Sequence, residues 1–476
     1  MKIKFCGAAQ TVTGSCHLIT LDNDYKILLD CGLFQGHAGD LDELNSSWHF
    51  DPREIDVMIL SHAHIDHCGR IPKLVKDGFK GLIYCTHGTR DLANIMLMDT
   101  AHIQQKDAEY YNEKIYKKIK NKHTDEKAKL REPLYGAKDV VAALKQFVSI
   151  SYDQWIRISK YIEVNFTDAG HILGSASVNL VIKEGSDEIR IGFTGDIGRP
   201  ARPILRDPQP MFPADYVISE STYGDRLHME KPAEKSKFLE VINDTCIRKN
   251  GKLIIPAFSM GRTQEIVFML DQLVNEKKIH NIPVYVDSPL AVNATEVFKI
   301  HPECFDFDLH QYILKDPDPF GFKRLTYITD VNESKRLNGM KEPCIIISAA
   351  GMVNAGRIKH HVYNNIENPH NTILMVGYCS PETPGGVLRS GATELRLFGD
   401  TLNVNADVVL MDSFSAHGDQ HEMTEFLGNQ TKSIKKLFLV HGDIDVQENF
   451  SKHLRSNGFT DIAIPALKEE IAISKI

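Results

Sequence analysis

The sequence predicts an α/β protein on three observations. Short β-branched apolar runs recur from end to end, each stops at a small or polar residue, and helical stretches separate them. The runs are YKILLDCG (25–32), IDVMILSHAH (55–64), IRIGFTGD (189–196), DYVISEST (215–222) and GKLIIPAFSMGR (251–262), then IPVYVDSP (282–289), CIIISAAGM (344–352), TILMVGYCS (372–380), VVLMDSF (408–414) and KLFLVHGD (436–443). Continuous rather than alternating apolar character marks central strands covered on both faces. In such folds ligands collect at the C-terminal ends of strands, where these runs place their polar residues. Residues 90–123 carry apolar positions near a 3.6 period and predict a long helix with a lysine-rich end. Residues 230–251 predict a second helix, with Gly251 as its C-cap. No repeat, low-complexity tract or long linker interrupts the chain, so a domain division has to be an insertion.

Composition narrows the class. With 476 residues the chain can hold two or three domains. No apolar run approaches the roughly 18 residues of a membrane span, and neither a span nor a signal peptide is expected. The nine cysteines are scattered, odd in number and never form C-x-x-C. That pattern suits a reduced, cytoplasmic protein rather than a disulfide scaffold or a cysteine zinc knuckle. A net charge of −8 argues against nucleic-acid binding by bulk charge. A polyanion has to meet a local basic surface instead.

Residues 61–70 read SHAHIDHCGR. His62, His64, Asp66 and His67 form H-x-H-x-D-H, a spacing that chance produces in roughly fewer than one such chain in a hundred. Alternate positions of an extended segment turn His62 and His64 the same way, and imidazole suits zinc. Asp66 and His67 can then turn toward a second cation. Unpaired polar groups at the end of a buried strand are costly without a shared partner. Other strand ends offer His171 in DAGHILGS, Asp196 in FTGDIG and His441 in LFLVHGD. Asp30, in DCG, is placed to accept from a ligand imidazole and fix its tautomer.

In this order and spacing the chain resembles the metallo-β-lactamase superfamily. More narrowly it resembles the β-CASP nucleases of RNA-processing type, on ISEST (218–222), SFSAHGD (413–419) and LVHGD together with PAFSMGRTQE (256–265), SAAGMVNAGRIKHH (348–361) and GYCSPETPGGVLRSG (377–391). The resemblance implies an αββα metallo-β-lactamase sandwich over residues 1–222 and 396–476, with an α/β β-CASP domain inserted over 223–395. It implies two zinc ions: His62, His64 and His171 on one, Asp66, His67 and His441 on the other, and Asp196 bridging them. His at 441 tilts the expectation to RNA rather than DNA, single-stranded and without a membrane partner, and a homodimer is open.

The activity so implied is phosphodiester hydrolysis, endonucleolytic or 5′-exonucleolytic, with Asp66, Glu220 and His417 as catalytic residues. Two zinc ions activate water and clamp the phosphate, and His417, oriented by Glu220, protonates the leaving 3′ oxygen. Ser348, Arg262, Arg357, His361 and Arg389, beside glycine-containing turns, are candidates for gripping the strand, and Lys114, Lys117, Lys118 and Lys120 for adding basic surface. Competing readings are a DNA nuclease with the same site, a small-molecule metallohydrolase and a non-catalytic scaffold. The filled ligand set argues against the last. The long insertion and the Glu220/His417 pair argue against a small substrate.

Overall fold

A computed structural model describes residues 1–36, 41–122, 130–184, 187–228, 234–279, 281–411 and 414–473. The chain forms two compact units, one of Met1–Gly198, Pro208–Arg226 and His417–Ile476, the other of Arg199–Asp207 and Leu227–Ala416.

The first unit holds two seven-stranded sheets. One runs Glu470–Ala472, Lys2–Gly7, Cys16–Thr20, Lys26–Leu29, Val57–Ile59, Leu82–Thr86, Phe147–Ile150. The other runs Ile462–Ala463, Lys436–Leu439, Tyr216–Ser219, Asp187–Phe193, Ala176–Glu184, Ile162–Asp168, Ile156–Arg157. Alternate residues of each sheet meet between them: Phe5, Ile19, Ile27, Leu29, Val57 and Ile59 from one, Phe166, Val178, Leu180, Ile191, Phe193 and Phe438 from the other. The Phe5 and Phe438 rings lie 5.3 Å apart across this core. Helices cover the outer faces. Met423, Leu427, Phe450 and Leu454, from the helices Gln420–Leu427 and Ile444–Ser456, pack on Val217, Leu437 and Leu439. On the first sheet the helix His87–Lys122 lies against Leu82–Thr86 and Phe147–Ile150, burying Ala93, Leu97, Ala101 and Ala108 at helical spacing. This is the expected long helix. The side chains of Lys118 and Lys120 lie outside the described residues.

The second unit is built on one parallel sheet in the order Leu325–Ile328, Val284–Asp287, Ile345–Ser348, Leu253–Pro256, Thr372–Met375, Asp407–Leu410. Its continuous isoleucine runs are buried, as parallel strands demand.

Two expectations change. The inserted unit extends to Ala416 rather than ending at 395. The reason is the strand Asp407–Leu410, which pairs with Thr372–Met375 and cannot leave that sheet. The second helix is Lys235–Ile242, continued by a π-turn over Asn243–Arg248, and residues 229–233 are outside the described ones. The left-handed residue after it is Asn250 (φ 54°), not Gly251. Gly251 is needed for another reason: a Cβ there would sit 1.8 Å from the His370 carbonyl oxygen. Gly251→Ala should therefore destabilise the fold by about 1–3 kcal/mol, read as a lower urea midpoint at unchanged m-value.

All nine cysteines are buried, and none is in a disulfide. Among the described residues no helix is long and apolar enough to cross a membrane.

Candidate metal centre

The strand Val57–Ile59 leads through Ser61 into the histidine segment. His64 is still extended (φ −65°, ψ 149°) and caps a single helical turn, Ile65–Cys68. That change of backbone splits the motif. The extended part aims His62 and His64 one way, and the turn swings Asp66 and His67 another. Glycine at 32 permits the close fit, since a Cβ there would fall 1.6 Å from the Asp66 carbonyl oxygen.

Two groups of donors result. His62 Nε2 lies 3.1 Å from His64 Nδ1, which lies 3.1 Å from His171 Nε2. Asp196 Oδ2 is 3.4 Å from both His62 Nε2 and His171 Nε2. In the second group His67 Nε2 is 3.2 Å from His441 Nε2, which is 3.3 Å from Asp66 Oδ2. The other oxygen of Asp196, Oδ1, is 3.3 Å from His67 Nε2. One carboxylate thus faces both groups, one oxygen to each. In each group the donor atoms lie within 4.8 Å of one another.

The donors fit a metal ion. Nitrogen ligands at 2.0–2.1 Å from a tetrahedral zinc are separated by roughly 3.3–3.4 Å along each edge, close to the spacings here. Asp196 is 2% exposed, and no hydrogen bond reaches its Oδ1 among the described residues. An orphaned buried carboxylate oxygen is costly unless a cation meets it. Burial, followed by repulsion from His62, pulls His64 down to about 3. Burial, with the neighbouring His67 ring next, lowers His62, and burial, with His417 next, lowers His171. These three imidazoles are neutral near pH 7, the form that ligates.

Hydrogen bonds orient the rings from behind. Asp30 is fully buried and accepts from His67 Nδ1 at 2.7 Å, from the hydroxyls of Ser61 and Ser15 at 2.9 and 3.1 Å, and from the Ser61 amide at 2.8 Å. His67 is thereby fixed with Nε2 toward the donor group. Both Asp30 (φ 56°) and His441 (φ 51°) hold left-handed backbone, an uncommon state for residues with a Cβ and one that concentrates at functional sites. Asp30→Ala should weaken metal affinity about 10- to 100-fold, measurable by competition with a chelator.

Glu220 and His417 meet beside these groups. His417 Nδ1 is 3.2 and 3.3 Å from the two Glu220 oxygens. Glu220 also accepts from the Ile197 amide and from Thr222 Oγ1. Burial works most strongly against charge on His417, but the carboxylates of Glu220, Asp196 and Asp66 together overcome it and raise the imidazole to about 9. The His417 ring packs 4.5 Å from that of His171.

Besides Ser15 and Ser61, two residues escaped the sequence reading. Thr222 Oγ1 donates to Glu220 and lies 3.1 Å from His441 Nδ1, whose proton it can accept, leaving Nε2 free to ligate. Its signal was the threonine two places after Glu220 in ISEST. His17 is fully buried between Phe5 and Phe193, with neither ring nitrogen hydrogen-bonded among the described residues. Burial holds it neutral, down to about 4. It stood alone in a strand and gave no signal.

The five residues expected to grip a strand are built into the packing of the second unit. Asp287 is wholly buried and pairs with His361 Nε2 (2.6 Å) and Arg357 Nη1 (2.6 Å), while Ser348 Oγ donates to its carbonyl oxygen. His361 is fully buried and Ser348 is 1% exposed, so in this structure both are engaged inside the unit rather than at its surface. Arg262 pairs with Glu265, and Arg389 donates to the Gly377 carbonyl oxygen.

A sandwich carrying two clusters of buried or half-buried histidine and aspartate donors points to the class, a metallohydrolase fold. Family models agree: the Metallo-beta-lactamase superfamily matches residues 10–235, the Beta-Casp domain 263–388, and the Zn-dependent metallo-hydrolase RNA specificity domain 401–465. The chain is 31% identical over 443 residues to Ribonuclease TTHA0252 of Thermus thermophilus, covering 93% of each. It is 32% identical over 447 residues to an RNase J-like protein of Methanocaldococcus jannaschii, covering 93% of this chain and 92% of that one. To Cleavage and polyadenylation specificity factor 73 of Drosophila melanogaster it is 29% identical, spanning 60% of that longer protein. The chain belongs to the β-CASP nuclease family of the metallo-β-lactamase superfamily.

Proposed function

We propose that the chain is a zinc-dependent ribonuclease, hydrolysing single-stranded RNA by endonucleolytic cutting, 5′-exonucleolytic trimming or both. The observation that carries the reading is the sharing of Asp196 between two groups of largely buried donors. Relatives named as ribonucleases, matched over nearly the whole chain, support the substrate, and nine buried cysteines with no disulfide suit a reduced cytoplasm.

His62, His64 and His171 would hold one zinc and Asp66, His67 and His441 the other, with Asp196 between. When bound, such cations neutralise phosphate charge and acidify water toward neutral pH. The chain's own residues do the rest. Asp30, Ser61 and Thr222 fix the ligand rings, so little rearrangement is needed as charge develops. Asp66 and Asp196 counter the cations' charge. His417, cationic near neutrality through Glu220, holds a proton on Nε2 for the departing 3′ oxygen. A 5′-phosphate and a 3′-hydroxyl are the products.

The test is incubation of purified protein of measured metal content with 5′-labelled and internally labelled RNA, beside matched DNA. RNA cleavage that chelation abolishes and zinc restores is expected. Released mononucleotides or discrete fragments tell trimming from internal cutting. Intact RNA in the presence of zinc-loaded protein sinks the reading.

A further inference from the structure

The first unit carries an open cleft of about 350 Å³, within the size range of small-molecule pockets. We propose that this cleft binds a guanine ribonucleotide, with the base held on Trp155 and Phe212 and its edges read by Glu163, Glu188 and Arg190. The choice of a nucleotide among flat ligands rests on the ribonuclease reading, which the inference extends to a second binding site.

The cleft lies on the outer face of the second sheet. Val164, Leu180 and Ile191 of that sheet point into the core between the sheets, so their neighbours in sequence point out. Arg190 pairs with Val181, Val181 with Glu163 and Glu163 with Arg157, which sets these four residues side by side across four strands. Glu163 and Glu188 each stand second in strands that run on toward His171 and Asp196, so the cleft opens near the strand ends opposite the metal centre. None of the metal-centre residues lines it.

The segment 208–214 closes one side. The Phe212 amide donates to Asn179 Oδ1 at 2.9 Å, and Met211 lies over Gly192, where a Cβ would come 3.0 Å from its methyl carbon. Phe212 is thereby anchored, and its ring meets that of Trp155 at 5.3 Å and 57°. The two residues remain 43% and 41% exposed. Together they form a corner: a planar ligand lying flat on one ring presents its edge to the other.

Open hydrogen-bonding groups line the same cleft. Arg190 donates through Nε and Nη2 to Glu188 Oε1 at 3.1 and 3.0 Å, which leaves Arg190 Nη1 and Glu188 Oε2 without a partner among the described residues. Glu163 Oε1 accepts from Lys183 at 3.1 Å and pairs with Arg157 at 3.4 Å, and its Oε2 is open in the same sense. Two acceptors and a donor beside a stacking corner fit guanine, because bases are read by stacking together with contacts to their edges. Its N1–H and amino group donate along one edge, and its O6 and N7 accept along the next, the pair an arginine most often contacts. Adenine and cytosine offer one amino group each and uracil none. Arg157 and Lys183, exposed beside Glu163, are placed for the phosphate.

The test titrates the full chain, with chelator present, with the 5′-monophosphates of guanosine (GMP), adenosine, cytidine and uridine. Fluorescence and binding heat are followed. Trp155 is one of two tryptophans, so a base stacked on it quenches much of the emission. Saturable quenching by GMP, roughly 5-fold or more tighter than by the others, is expected. In Trp155→Phe the quenching should be lost while calorimetry still records binding. Trp155→Ala should weaken GMP binding roughly 5- to 150-fold. Glu163→Gln combined with Glu188→Gln should erase the preference for guanine, and melting temperatures report folding. A heptauridine carrying one guanosine identifies the source: quenching at or below the GMP concentration makes an RNA strand the occupant, and weaker or no quenching makes it the free nucleotide. No quenching by GMP, equal quenching by all four nucleotides, or a folded Trp155→Ala that binds GMP as before overturns the inference. So does Trp155 emission that shifts with protein concentration alone, the mark of an interface between copies. A zinc-loaded chain that cuts RNA yet ignores GMP loses only this inference, and one that binds GMP but leaves RNA whole loses only the ribonuclease reading.

Discussion

Asp196→Asn is expected to leave the chain folded but with less than one zinc per molecule, and to cut RNA hydrolysis by more than about 10³-fold, since several kcal/mol of transition-state stabilisation go with the metals. The carboxylate faces His62 and His171 with one oxygen and His67 with the other, so its loss weakens both donor groups at once. An amide keeps the volume of the side chain, which limits the packing cost at a site 2% exposed. Metal content per folded chain and the cleavage rate are read on the same preparation. A variant that keeps its full complement of zinc would remove Asp196 from the ligand set.

His417→Ala should give the opposite combination, with kcat lower by about 10²–10⁴-fold and zinc near the unsubstituted level. The ring is 3.2 Å from Glu220, whose carboxylate, with those of Asp196 and Asp66, overcomes burial and keeps a proton on it. Glu220→Gln should lower kcat in the same direction by removing that support. Geometry offers a sharp alternative, because Asp196, Glu220 and His417 also lie close enough together to hold a cation. Metal lost from His417→Ala would make the ring a ligand and end its assignment as proton donor.

Much of the centre was legible in the sequence because four of its donors sit in one stretch of six residues, at the end of a strand too apolar to leave them unpaired. His171, Asp196 and His441 could be picked out as single polar residues at other strand ends, which a sandwich brings to one edge. The partners of the second unit were less legible. Arg357, His361 and Ser348 looked available for phosphate because Asp287, whose carboxylate meets the first two and whose carbonyl oxygen accepts from the third, lies far away in sequence. The end of the insertion was misjudged for a similar reason. Nothing within Asp407–Leu410 says which of two sheets it will join, and pairing with Thr372–Met375 decides it. Thr222 and His17 are single residues whose roles come only from neighbours in space.

The most direct test of a hydrolytic, metal-dependent ribonuclease is cleavage of RNA in ¹⁸O-labelled water, with mass spectrometry of the product ends. The label is expected in the 5′-phosphate of each new fragment, beside an unlabelled 3′-hydroxyl, and only when the protein carries its zinc. Fragments ending in an unlabelled 2′,3′-cyclic phosphate, or labelled cleavage by fully metal-stripped protein, would contradict it.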